Sequence, residues 1–123
     1  MQINQNIFRA YDIRGIASKD LSDEFVTSLG SALSHKIKKL GLKQVVVARD
    51  GRLSGARICS ALIKSFLDND INVINVGMVP SPLLYFAVEK FNTGNGVMIT
   101  GSHNPKNIMA VSYTHLRAHE TSP

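Results

Sequence analysis

A chain of 123 residues, 44% hydrophobic and 19% charged, can bury one ordinary core and falls within the usual size of a single domain. Met1 to Asp12 carries no apolar stretch behind a positive cluster, and nowhere do about eighteen apolar residues run together, so neither a signal peptide nor a membrane-spanning helix is supported and a cytoplasmic protein is the expectation. Cys59 is the only cysteine, so an internal disulfide and a cysteine-based zinc cluster are excluded, while the formal charge of +5 suits an anionic partner, whether a phosphate-bearing ligand or a nucleic acid.

Phe8 to Gly15 reads as an extended piece with a sharp exit at Gly15. Ser22 is a good N-cap, with Asp23 and Glu24 in the first turn of a helix that presents Phe25, Leu29, Leu33, Ile37 and Leu40 on one face until Gly41 ends it. Lys36, Lys38, Lys39 and Lys43 gather at that helix's C-terminal end, where cations complement the macrodipole. Val45 to Val47 makes a buried strand that stops at Ala48-Arg49-Asp50-Gly51-Arg52. Ser54 is then expected to cap a second helix, with Ile58, Leu62 and Phe66 inward, Cys59 a packed thiol among them, and Asp68-Asn69-Asp70 at its end.

A second strand runs from Ile71 to Val76 and closes at Gly77-Met78-Val79-Pro80. Ser81-Pro82 has the form of an N-cap followed by proline at the first helical position, opening an apolar helix through Phe91. Asn92 to Asn95 turns the chain, and Gly96 to Thr100 is the third strand. Strands alternating with helices give an α/β fold, and right-handed crossovers make consecutive strands parallel with their C-terminal ends on one side. The exits Arg49 to Arg52, Gly77 to Ser81 and Gly101 to Pro105 are therefore expected along one edge, the edge where open α/β sheets bind ligands.

The sharpest chemical signal is Thr100-Gly101-Ser102-His103-Asn104-Pro105. A serine on a glycine-flanked turn beyond a parallel strand can project its hydroxyl into the ligand crevice, and small neighbours let a phosphate approach. Alone, the same segment reads as a serine completing a turn before Asn-Pro. No Gly-x-Ser-x-Gly elbow is present, which disfavours a hydrolase-type serine and histidine pair.

Four segments occur in order: Phe8-Arg9-Ala10-Tyr11-Asp12-Ile13-Arg14-Gly15, Arg49-Asp50-Gly51-Arg52-Leu53-Ser54-Gly55, Val76-Gly77-Met78-Val79-Pro80-Ser81-Pro82, and Thr100 to Pro105. Together they closely resemble the α-D-phosphohexomutase superfamily, and in their variant forms its bacterial phosphomannomutase/phosphoglucomutase branch, over roughly residues 6 to 106. The resemblance implies a three-layer αβα domain with a mostly parallel sheet, the first domain of such an enzyme. It implies a phosphoserine at Ser102 that interconverts hexose 1-phosphates and 6-phosphates through a hexose 1,6-bisphosphate, with one Mg²⁺ held partly by the phosphate on Ser102. Arg14 would offset charge on the transferring group, Tyr11 would line the substrate site, and His103 would orient groups or assist proton transfer beside Ser102. Tyr11 and Arg14 also read as ordinary core and surface residues at a strand end, and Arg49, Asp50 and Arg52 as braces between loops rather than substrate contacts.

The chain departs from that pattern after Pro105. Lys106-Asn107-Ile108-Met109-Ala110 stands where the family has Asn-Gly-x-Lys, and Lys106 comes too early to take that lysine's role. The Asp-x-Asp-x-Asp metal loop and the sugar- and phosphate-binding loops of the family's later domains are absent, and Asp68 and Asp70 read as solvated turn residues. The expectation is a domain over 1–110, followed by a tail, 111–123, unrelated to the family, resembling translated vector or adapter sequence and disordered from about Ala110. His115 and His119 in that tail have helical i, i+4 spacing but lack a third metal ligand. Without the parent enzyme's other domains the polypeptide is expected to be inactive. A non-catalytic basic α/β module binding phosphate, nucleotide or nucleic acid is the competing reading; no aromatic and basic interleaving and no Walker or dinucleotide glycine signature supports it.

Overall fold

A computed structural model describes residues 8–16, 18–51, 53–101 and 108–116, with the backbone alone at 8–12, 14, 16, 53, 81 and 116. The elements run β1 (Phe8–Ile16), α1 (Asp23–Lys39), β2 (Gln44–Arg49), α2 (Leu53–Asp68), β3 (Asn72–Met78), α3 (Ser81–Lys90), β4 (Asn95–Thr100) and β5 (Ile108–Leu116). They build one sheet in the order β1-β5-β4-β2-β3. β4, β2 and β3 are parallel neighbours, and β5 pairs antiparallel with both β4 and β1. Four strands thus point one way and β5 the other.

The interior strand β2 is buried on both faces, as a parallel strand between helical layers must be. Val45 and Val47 join Val97, Ile99, Val111 and Tyr113 in a core beneath α1 and α2, whereas Val46, Ala48 and Met98 pack against Leu84, Ala87 and Val88 of α3. This is the expected αβα sandwich.

α1 starts where Ser22 accepts the Phe25 amide hydrogen on its Oγ at 3.2 Å. Its buried stripe is Val26, Leu29, Leu33 and Ile37, and both Phe25 and Leu40 are exposed, contrary to the expected face. At about 100° per residue, steps of four drift by about 40°, so Phe25 falls at the margin of the stripe, and Leu40 lies past the last turn. In α2, Ile58, Leu62 and Phe66 are fully buried as expected, but the helix already begins at Leu53 and Ser54 is inside its first turn rather than capping it. Pro80 caps α3, one residue earlier than expected, so Ser81 is already helical. All three helices close in the same way: Gly41, Asp70 and Asn92 take positive φ, and the next amide returns to the carbonyls of Ile37, Phe66 and Val88 respectively.

The largest correction concerns residues 108–116. The expected disorder from about Ala110 gives way to β5, which sits between β4 and β1 with Met109, Val111 and Tyr113 fully buried. Their period of two places them side by side on the α1 and α2 face, so apolar burial favours a strand there. His115 is a buried strand residue, which removes the helical spacing to His119; residues 117–123 lie outside the described residues. No described helix is long and apolar enough to cross a membrane.

Candidate functional site at the C-terminal edge of the sheet

Three strands deliver their exits to one rim. The Asp50 amide donates to the Ile99 carbonyl at 3.0 Å and the Val79 amide to the Arg49 carbonyl at 3.2 Å, so the ends of β2, β3 and β4 are tied together. One extra residue on β3, at the register shift opposite Val47 and Ala48, and a positive φ at Gly77 turn the end of that strand. A cleft of about 420 Å³ opens between them, lined by Asp50 and Gly51 after β2, Met78, Val79 and Pro80 at the end of β3, and Thr100 of β4. Its β3 side is apolar, and the other side combines the polar Asp50 and Thr100 with Met98 of β4.

Asp50 holds the polar side in place. Its Oδ2 accepts the Thr100 hydroxyl at 2.9 Å and the Gly101 amide at 2.7 Å. With the Asp50 amide on Ile99, three successive residues of the neighbouring strand are bound by one residue. Hydrogen bonds to a charged acceptor are worth about 1.5–3 kcal/mol each, with the half-buried position of Asp50 favouring the lower end. The expected bracing role of Asp50 is therefore seen in detail. Arg49 adds a longer contact, its Nη1 donating to the Asp50 carbonyl at 3.3 Å, and Arg52 lies outside the described residues.

Ser102 and His103, the expected catalytic pair, also lie outside the described residues. In sequence Ser102 directly follows Gly101, the residue pinned at the rim. Of Arg14 and Tyr11 the backbone alone is described. Arg14 is registered with Ala110, and Ala110 with Thr100, which puts Arg14 two strand spacings, roughly 10 Å, from the last residue of β4. Tyr11 is registered with Tyr113 and, through it, with Val97, about 10 Å back along the strand from that rim. The register thus brings Arg14 to the level of the rim and leaves Tyr11 at mid-sheet. Met78 and Val79 fall in the Gly77 to Ser81 exit expected along this edge, and they form a wall of the cleft because β3 lies beside β2.

Cys59, buried in α2, is no part of this edge. Burial pushes its thiol up, partly offset by the positive charge of Arg49. Among the described residues no group of three acid, histidine or cysteine side chains could hold a metal ion, so they do not by themselves form a Mg²⁺ site. Asp68 and Asp70 are exposed at the end of α2, Asp68 paired with Lys64 at 2.9 Å.

Residues 5–114 match the sequence profile of the phosphoglucomutase/phosphomannomutase α/β/α domain I, a span that reaches into the stretch expected to be foreign from 111 onward. The chain is 50% identical over 103 residues to a phosphoglucomutase of Neisseria meningitidis serogroup B, with 84% of this chain and 22% of that protein covered. It is 48% identical over 100 residues to a phosphomannomutase/phosphoglucomutase of Pseudomonas putida, covering 81% of this chain and 22% of the relative. A solved phosphoglucomutase/phosphomannomutase family protein from Burkholderia thailandensis superposes with a TM-score of 0.78 at 37% identity, over 90% of this chain and 26% of that one. The chain spans only about a quarter of the length of these proteins. It belongs to the phosphoglucomutase/phosphomannomutase family, and what it contains is that family's α/β/α domain I.

Proposed function

We propose that this domain supplies the phosphoserine of a hexose-phosphate mutase, with Ser102 as the phosphoryl carrier. The observation that carries the reading is the pinning of Gly101 by Asp50, which anchors the residue before Ser102 at the rim of a cleft. Phosphoryl transfer depends on positioning and charge neutralisation more than on covalent chemistry, and a rigid sheet edge supplies the first. In the loading step the Ser102 Oγ bonds to a phosphorus of a hexose 1,6-bisphosphate, the bond from that phosphorus to the sugar oxygen breaks, and the serine proton ends on the released sugar hydroxyl. When the first step leaves a hexose 6-phosphate, the reverse step passes the phosphoryl group from Ser102 to the free 6-hydroxyl of a hexose 1-phosphate, which regenerates the bisphosphate and the serine hydroxyl and completes a net 1-phosphate to 6-phosphate isomerisation.

Arg14, level with the rim, supplies positive charge to the transferring group, and His103 handles the proton beside Ser102. Tyr11 serves the substrate less directly, since its register position supports a place further down the sheet. Mg²⁺ would be held in part by the phosphate on Ser102, where it would neutralise charge on the transferring group, and its other ligands would come from outside the described residues. The other walls of the cleft come from the remainder of a full-length enzyme, and a reducing, cytoplasmic setting suits the single buried thiol.

A basic nucleic-acid module is less well supported. Lys36, Lys38 and Lys39 sit in the last turn of α1, which leads into the start of β2 and so lies at the edge opposite the cleft. The test is incubation of the chain with glucose 1,6-bisphosphate and Mg²⁺, followed by intact mass: one phosphate is expected on the wild type and none on Ser102→Ala. A wild-type chain that stays unmodified under prolonged incubation overturns the reading.

A further inference from the structure

We infer that Asp50 is the positioning residue for the phosphoryl-carrying serine, acting through the backbone of Gly101; the inference rests on the phosphoserine reading above. Gly101 precedes Ser102, and glycine has the widest backbone freedom of any residue, so an unrestrained Gly101 would be a hinge at the place where the nucleophile must be held still. Asp50 fixes the peptide plane from which that rotation begins. Its Oδ2 receives the Gly101 amide at 2.7 Å and the Thr100 hydroxyl at 2.9 Å, and its own amide reaches Ile99 at 3.0 Å. Both donors converge on one oxygen, so the peptide plane entering Gly101 is set by the orientation of a single carboxylate carried by the adjacent parallel strand.

The carboxylate takes no part in making or breaking bonds. It sets the peptide plane from which the chain leaves the sheet toward Ser102, and a displacement of about 1 Å at a reacting group costs on the order of 100-fold in rate. Since a single oxygen accepts both bonds, an asparagine oxygen can replace it. The same geometry that assigns the role to Asp50 therefore predicts that Asp50→Asn rescues what Asp50→Ala loses.

Two readouts on the whole 123-residue chain test this: amide hydrogen exchange at Gly101, and the rate and half-saturation of phosphate uptake at Ser102 from glucose 1,6-bisphosphate with Mg²⁺. In Asp50→Ala, Gly101 should exchange at least about 10-fold faster relative to the amides of β2, and uptake at saturating bisphosphate should fall on the order of 100-fold with little change in half-saturation. Asp50→Asn should stay within about 10-fold of the wild type in both. Thr100→Val, which keeps the Gly101 bond, should leave Gly101 exchange and uptake within about 10-fold of the wild type, and a loss on the order of 100-fold there would place the positioning in the Thr100 hydroxyl rather than in the Gly101 bond, whether or not Asp50→Ala folds. Equal Gly101 exchange or equal uptake in the wild type and Asp50→Ala overturns the inference, as does an Asp50→Asn variant no better than Asp50→Ala. A wild-type chain that accepts no phosphate at all overturns the phosphoserine reading itself, and the two failures are distinguishable because only the second includes the unmutated protein.

Discussion

Gly30 of α1 lies against Ser65 of α2 so closely that a Cβ on the glycine would overlap both the Cβ and the Oγ of the serine. Ser65 cannot easily retreat, because its Oγ donates to the Thr27 carbonyl at 2.7 Å. The two helices therefore cross with nothing between them but this glycine. Gly30→Ala is expected to destabilise the fold by about 1–3 kcal/mol through overpacking, although alanine is the better helix former. Urea unfolding measures it, as a lower midpoint at unchanged slope; an unchanged midpoint would show that the helices separate at no cost.

The position of β5 makes the second prediction. Tyr113 is 1% exposed and belongs to the core beneath α1 and α2, so Tyr113→Ala should cost about 3–5 kcal/mol, enough to unfold a marginally stable domain. In the wild type the amides of Val111 and Tyr113 should be among the slow exchangers, having strands on both sides. Fast exchange there, with the core of β2 protected, would remove β5 from the sheet.

Much of the architecture could be read directly from the residues. Ile58, Leu62 and Phe66 recur at one-turn spacing, Ser22 caps a helix with two acids behind it, and Val45 to Val47 can be little else than a buried strand. Errors arose where a long-range contact overrode a local signal. Met109, Val111 and Tyr113 do alternate, but Ala110, Thr114 and His115 are buried as well, which blurs the alternation, and a strand whose partner begins at Phe8 gains its stability from contacts about a hundred residues away in sequence. The edge at which β2, β3 and β4 end together followed from the α/β rule alone. The particular hold of Asp50 on Thr100 and Gly101, across a separation of 51 residues for the latter, needs the β2 and β4 pairing to exist first.

Cys59 provides a third test. The thiol is 4% exposed, and burial raises its pKa against the opposing charge of Arg49, so the reactive thiolate is scarce in the folded chain. Alkylation under native conditions at mildly alkaline pH should be slow and should become fast in denaturant. The sign for stability follows: a thiol with a raised folded pKa stabilises the fold while protonated, and that contribution is lost as pH climbs through the alkaline titration of the thiol. Equal alkylation rates in native and denaturing buffer would contradict the buried position.

Isolated from the other walls of its cleft, the chain should show no sustained isomerisation of mannose 1-phosphate or glucose 1-phosphate, with Mg²⁺ and a bisphosphate activator present. An open sheet edge cannot enclose the sugar or exclude water, and enclosure accounts for a large part of the rate in such reactions. Single loading of Ser102 is a less demanding event, because it accumulates over time. A coupled assay that detects continuous turnover would show that the domain is sufficient by itself.

The most direct measurement is an experimental structure of the chain carrying phosphate on Ser102. The phosphate is expected at the rim beside Asp50 and Thr100, with the Arg14 guanidinium within about 4 Å of a phosphate oxygen, the reach of a charge-assisted pair. A phosphoserine turned away from the cleft, or separated from Arg14 by the thickness of the sheet, would contradict the account.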